Sequence, residues 1–168
     1  MLPVYVEYGL TAININIQGG SPLGYYRDDP TVLQELRRRV RAKKPDALDE
    51  DIWCGLSGVD VQPWKSSGFS NDGQLLEDVR DRLANVIEAA DRVGLVVCLG
   101  LFYFGQDNRL SSEESVLKGV RDICNWMLHQ GYRNVIIEIN NESDVPRYDH
   151  AILRPDRVHE LILLASSI

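Results

Sequence analysis

The run LVVCLGLFYF at residues 95–104 restricts the fold more than any other segment, because it is apolar on both of its faces. Successive side chains of a strand point to opposite sides, so a strand without a polar face has to be covered on both sides. Apolar residues at helical spacing precede this run over residues 75–93 and follow it over residues 116–128. The pattern predicts a parallel strand between two helices, as in an α/β protein.

Two more segments predict strands of the same sheet. Residues 11–18 alternate isoleucine with asparagine or glutamine, and residues 134–143, NVIIEINNES, form an apolar run with a polar end. The predicted order is strand, long excursion, helix, strand, helix, strand, helix. This order is typical of a parallel sheet with right-handed crossovers.

Local signals predict where the helices begin. Ser111 and Glu114 have the spacing of a capping box, which predicts the start of the helix that follows residues 95–104. Pro155 and Asp156 predict the start of a last helix, because proline is favoured in the first helical turn. The N-terminal residues, LPVYVEYGL, are expected to begin within a first helix.

Length and charge limit the functions that the chain can have. Its 168 residues are 44% hydrophobic, which is enough for a single domain over residues 1–168, with a long insertion at about residues 19–73. The formal charge of −7 disfavours nucleic acid and anionic membrane as partners. A basic group at residues 37–44 is followed by acids at residues 46–51, which predicts a solvated helix face balanced by acidic neighbours.

The cysteines predict the state of the thiols, and the N-terminus predicts where the protein is located. The three cysteines have no metal-ligand spacing and predict free thiols. The sequence has neither the pattern of a signal peptide nor an apolar run of about 18 residues, so we expect a soluble, cytoplasmic protein.

The polar end of the strand at residues 134–143 is the main candidate for a site. Alternation places Glu138 and Glu142 on one face, and an unpaired buried carboxylate is costly unless a site supplies partners. Gln18 and residues 104–109 follow the other two strands, and ligands gather at the carboxyl ends of parallel strands. We therefore predict one site at this edge, although a strand end can also carry solvated acids.

At this strand the sequence resembles a known group of enzymes. Glu138, Ile139, Asn141 and Glu142 match the fourth strand of clan A glycoside hydrolases, which include the family 5 cellulases. The segment GFSNDGQL at residues 68–75 is similar to the loop G-F-x-x-D-G-x-L of cellulase-like barrels. The resemblance implies a (β/α)8 TIM barrel, of which this chain holds about strands 2 to 4. It also implies that Glu142 is the acid/base and that Asn141 binds the 2-hydroxyl of a sugar.

The chain differs from this family at residue 143 and at residues 102–104. Ser143 replaces the usual proline, and residues 102–104 are Phe-Tyr-Phe where many family 5 enzymes have an Asp-x-His pattern. In this clan the nucleophile lies on the seventh strand, and a barrel takes about 250 residues. We therefore expect a partial barrel that lacks the nucleophile and is inactive alone, and a glycoside hydrolase when full-length.

Other residues are predicted to bind the carbohydrate substrate. They are Glu138, Gln18, Tyr103, Gln106 and Trp64, although aromatic residues beside strands are more often part of the core. We expect no metal and no cofactor, because Asp144, Asp149 and His150 lack a convincing ligand set. Two other functions stay open: a non-catalytic carbohydrate-binding or structural partial barrel, and a metal-assisted lyase or isomerase. The sequence leaves the oligomeric state undetermined.

Overall fold

A three-stranded parallel sheet forms the centre of the fold. The computed structural model describes residues 1–19, 30–49, 67–146 and 148–168. The strands are β1 (Ala12–Asn16), β2 (Val96–Phe102) and β3 (Val135–Asn140), and they lie side by side in chain order. The register places Asn16 beside Gly100, and Gly100 beside Glu138. The predicted α/β class with parallel strands is confirmed, while Trp64 and much of the insertion at 19–73 lie outside the described residues.

Five helices accompany the sheet in the described part of the chain. They are α1 (Leu2–Glu7), α2 (Pro30–Lys43), α3 (Glu77–Asp91), α4 (Glu113–Gln130) and α5 (Val158–Ser166). Two short 3-10 turns, Asp107–Arg109 and Ala151–Leu153, lie in the loops after β2 and β3. None of the described helices is long and apolar enough to cross a membrane.

Two predicted helix starts are wrong by a few residues. The N-cap of α4 is Ser112, whose hydroxyl accepts from the amide of Ser115, and not Ser111. The amide of Ser111 donates instead to the carbonyl of Asn71, 2.7 Å away, which keeps Ser111 outside the helix. Helix α5 begins at Val158 because residues 155–157 form a turn.

The hydrophobic core lies on one face of the sheet. The side chains of Val97, Leu99 and Leu101 are fully buried, and they join buried residues of α3 and α4 in one cluster. The opposite face is more open in the described part of the chain, where Ile136 is 62% exposed. The prediction that β2 is covered on both faces is therefore wrong at Cys98, which is only half-buried in the described part of the chain.

The GFSNDGQL segment connects the end of β1 to the core. Phe69 is buried and stacks on Phe102 with ring centroids 5.3 Å apart. Lys118 of α4 forms an ion pair of 2.6 Å with Asp72. These contacts explain the motif as a structural connection between β1, α3 and α4.

Arginines of the basic group on α2 pair with Asp49, one of the acids that the prediction named, and with Glu35, an acid of the helix itself that it did not name. Arg38 and Arg39 bind Glu35 at 2.8 and 2.6 Å, and Arg41 binds Asp49 at 2.7 Å. Hydrogen bonds from the two arginines lower the pKa of Glu35 to about 2. These arginines therefore lie on a solvated helix face, and their charges are balanced locally.

Candidate functional site

The main chain changes direction directly after β3. The strand ends at Asn140, and Glu142 has a φ of 47°, the only positive φ at a non-glycine residue in the described ranges. The predicted strand through residue 143 is therefore too long. The alternation that placed Glu138 and Glu142 on one face stops at Asn140, because a left-handed residue breaks the pleat. The Glu142 side chain is exposed at the carboxyl end of β3.

Hydrogen bonds on both sides hold the turn at Glu142. The amide of Asn141 donates to the carbonyl of Phe102 at 3.2 Å, and the amide of Val145 donates to the carbonyl of Glu142 at 3.0 Å. Asn140 is buried, and its side-chain amide donates to the carbonyl of Leu153 at 2.8 Å. The loop after β3 is thus folded back onto the end of the strand.

Tyr148 is the central residue of this loop. It is 1% exposed, and its hydroxyl donates to the carbonyl of Asn141. Its ring meets the edge of Phe104, with centroids 6.0 Å apart, and the Arg154 guanidinium donates to its carbonyl at 2.8 Å. Burial raises the pKa of the Tyr148 phenol, so the hydroxyl stays a donor at neutral pH.

Gln18 connects the end of β1 to the loop after β2. It is completely buried, and its Nε2 donates to the hydroxyl of Ser67 at 3.1 Å and to the carbonyl of Gln106 at 3.2 Å. Its Oε1 accepts from the amide of Tyr103 at 3.1 Å. Both ends of the Gln18 amide therefore bind groups of the protein, and its predicted contact with substrate stays a prediction.

Asp107 connects the loop after β2 to the loop after β3. It is completely buried, and its Oδ2 accepts from the amides of Asp149 at 2.7 Å and His150 at 3.1 Å. Its Oδ1 is buried without a hydrogen-bond partner. Burial raises the pKa of Asp107, while the hydrogen bond from His150 opposes the shift. The carboxyl of Asp107 therefore accepts hydrogen bonds from two main-chain amides in a place that water does not reach.

The structure separates Glu138 from the loop residues. Its carboxyl Oε2 lies 3.2 Å from the point where a Cβ atom of Gly100 would stand, and Asn16 Oδ1 lies 2.1 Å from the same point. Asn16 and Glu138 therefore converge over Gly100 on the open face of the sheet. Tyr103 lies at the carboxyl edge, with its ring centroid 4.3 Å from that of Phe104.

The sequence reasoning missed Tyr148 and the burial of Asp107. Tyr148 carried a weak signal, because it is a large aromatic residue in a short polar segment, while Asp107 had none beyond its place after a strand.

In the described ranges no three His, Cys, Asp or Glu side chains are arranged to hold a metal ion. An open cavity of about 390 Å³ lies between β1 and α3, and neither Asn141 nor Glu142 lines it. The chain has no match among protein-family models, curated proteins or solved structures.

Proposed function

We propose that this chain is part of a glycoside hydrolase of the clan A type, and that its three strands are consecutive strands of a (β/α)8 barrel. The strand order is compatible with the proposal, because neighbouring strands of a barrel follow chain order, as they also do within one half of a doubly wound sheet. The two faces of the sheet support it. Helices cover one face, and the face with Asn16 and Glu138 corresponds to the inside of a barrel.

The position of Glu142 is the observation that carries the proposed chemistry. Its side chain is exposed at the carboxyl end of a parallel strand, and hydrogen bonds at Asn141 and Val145 fix the main chain on either side of it. Barrel enzymes place catalytic groups at this end of their strands. Glu142 donates a proton to the glycosidic oxygen and then acts as a base toward water, while the side-chain amide of Asn141 binds a neighbouring hydroxyl.

A retaining mechanism needs a second carboxylate about 5 Å from the acid/base. In the clan that the sequence resembles, this group lies on the seventh strand, which is not among the three described strands. The test of the proposal therefore uses the full-length natural protein that contains this chain.

The test replaces Glu142 with glutamine, which has the same shape but no acidic proton. Turnover of soluble β-glucans, xylan and mannan is expected to fall by roughly 10² to 10⁴-fold, the usual contribution of a general acid/base. Aryl glycosides with an activated leaving group need little protonation, so they should retain more activity, and azide should restore part of the rest. Glu77→Gln, at an exposed glutamate in the first turn of α3, is the matched control. Undiminished turnover of the glycans by Glu142→Gln would end the assignment.

A non-catalytic carbohydrate-binding or structural role is the second candidate. The open sheet face supports it, because Ile136 is exposed there and an apolar residue in such a place suits contact with another surface. Titration of the chain with cello-, xylo- and manno-oligosaccharides separates the two functions. Binding that Asn141→Ala weakens, without turnover by the full-length protein, would favour the second candidate.

A further inference from the structure

A chain of contacts runs from the loop after β2 to the turn at Glu142. Asp107 Oδ2 holds the amides of Asp149 and His150, which immediately follow Tyr148. Tyr148 in turn donates its hydroxyl to the carbonyl of Asn141. The two loops are thereby connected through side chains that are almost completely buried.

We propose that Asp107 is a positioning residue for the candidate site, and that it acts through Tyr148 on the Asn141–Glu142 peptide group. The catalytic part of this inference rests on the proposed function, because the direction of the Glu142 side chain affects a reaction only if Glu142 is the acid/base. The contacts themselves can be tested without any substrate.

The energetics of Asp107 support a role beyond packing. A buried carboxylate oxygen without a partner is rare and costly, and Oδ1 of Asp107 is such an atom. An apolar side chain of similar size would fill the space without that cost, but it could not accept from two successive amides. What the carboxyl adds is therefore a defined position for residues 148–150.

The contact at Asn141 transmits that position to Glu142. The carbonyl of Asn141 belongs to the same rigid peptide plane as the amide of Glu142, so a hydrogen bond to this carbonyl orients the bond about which φ of Glu142 turns. A φ of 47° is unfavourable for glutamate and persists only when the surroundings hold it. Phe104 and Arg154 hold Tyr148 itself, through its ring and its carbonyl.

The test measures amide hydrogen exchange and ¹⁵N chemical shifts in this chain. Tyr148→Phe removes only the hydroxyl, and Asp107→Leu removes the oxygen that accepts from the amides of Asp149 and His150. Loss of one such hydrogen bond should speed exchange roughly fivefold at the amide of Val145 in Tyr148→Phe, and at the amides of Asp149 and His150 in Asp107→Leu. The Glu142 amide shift should move in both variants.

Tyr132→Phe is the matched control, because its hydroxyl donates to Glu88 on α3 and makes no contact with the loop after β3. It should leave the amides of Glu142 and Val145 unchanged. The inference would be overturned if Tyr148→Phe left the exchange rates and chemical shifts of the Glu142 and Val145 amides at their wild-type values. Equal acceleration of exchange at every amide would also overturn it, because that result indicates only a loss of global stability.

In the full-length protein the same variants separate this inference from the proposed function. Tyr148→Phe should lower kcat for glycan turnover with little change in KM, because the acid is misplaced while the sugar still binds. If Glu142→Gln leaves turnover intact, the proposed function fails and the exchange measurements still decide the contacts. If Glu142→Gln abolishes turnover and Tyr148→Phe leaves kcat unchanged, the positioning role fails by itself.

Discussion

Gly73 lies directly against the main-chain carbonyl of Ser115, so that a Cβ atom built on Gly73 would stand 1.9 Å from that oxygen. Its φ of +86° is also unfavourable for any residue with a side chain. Gly73→Ala should therefore lower the free energy of unfolding by about 2 to 5 kcal/mol, from backbone strain together with overpacking. Urea unfolding of the purified variant measures this loss.

Gly94→Ala is the control for the steric part of that prediction. Gly94 has a similar φ of +74°, but a Cβ atom there meets nothing within 4 Å. This variant should lose only the backbone contribution, about 1 to 2 kcal/mol. Equal losses in the two variants would show that the contact between Gly73 and Ser115 relaxes at no cost.

Gln18→Leu should destabilise the protein through the groups that Gln18 now satisfies. The substitution removes the acceptor of the Tyr103 amide, while the carbonyl of Gln106 still accepts from the amide of Arg109. A buried polar group that loses its partner costs about 1 to 3 kcal/mol, so we expect a loss of roughly 1 to 3 kcal/mol in urea unfolding. A variant with wild-type stability but weaker binding of oligosaccharides would instead support the predicted contact of Gln18 with substrate.

The elements of the fold could be predicted because their signals are local. Apolar spacing gave α3, α4 and β2 to within a few residues, since a buried helix face or strand needs that spacing wherever it occurs. Helix ends were less accurate. Ser111 has the right spacing for a cap, but a hydrogen bond to Asn71, forty residues earlier, removes it from the helix.

The candidate site could be located but not assembled from the sequence. The strand-end position of Glu142 follows from a local pattern, and the structure places its side chain at the exposed edge of the sheet. The contacts of Gln18 with Gln106 and of Asp107 with His150 join residues that are distant in the chain. Nothing in the local sequence encodes such pairs, because they depend on how two loops meet above the sheet.

The pKa of Asp107 predicts how stability changes with pH. Burial raises this pKa above its ordinary value of 3.8, and the charge of Asp149 adds to the shift, while the amides of His150 and Asp149 and the charge of His150 oppose it. The folded state therefore holds the proton more tightly than the unfolded state. The stability that Asp107 contributes is full below about pH 4 and is lost as the pH rises through the folded-state pKa.

Asp107→Asn does not titrate, so comparing it with the wild type isolates this contribution. The Tm of the wild type minus that of the variant should fall as the pH is raised from 4 to 7. The same comparison between Asp149→Asn and the double variant that also carries Asp107→Asn should show a smaller fall, because Asp149→Asn removes the neighbouring charge that helps to raise the pKa of Asp107. Thermal unfolding of the four proteins across this range measures the trend. A difference that instead grows in favour of the wild type would show that the two hydrogen bonds from Asp149 and His150 outweigh burial.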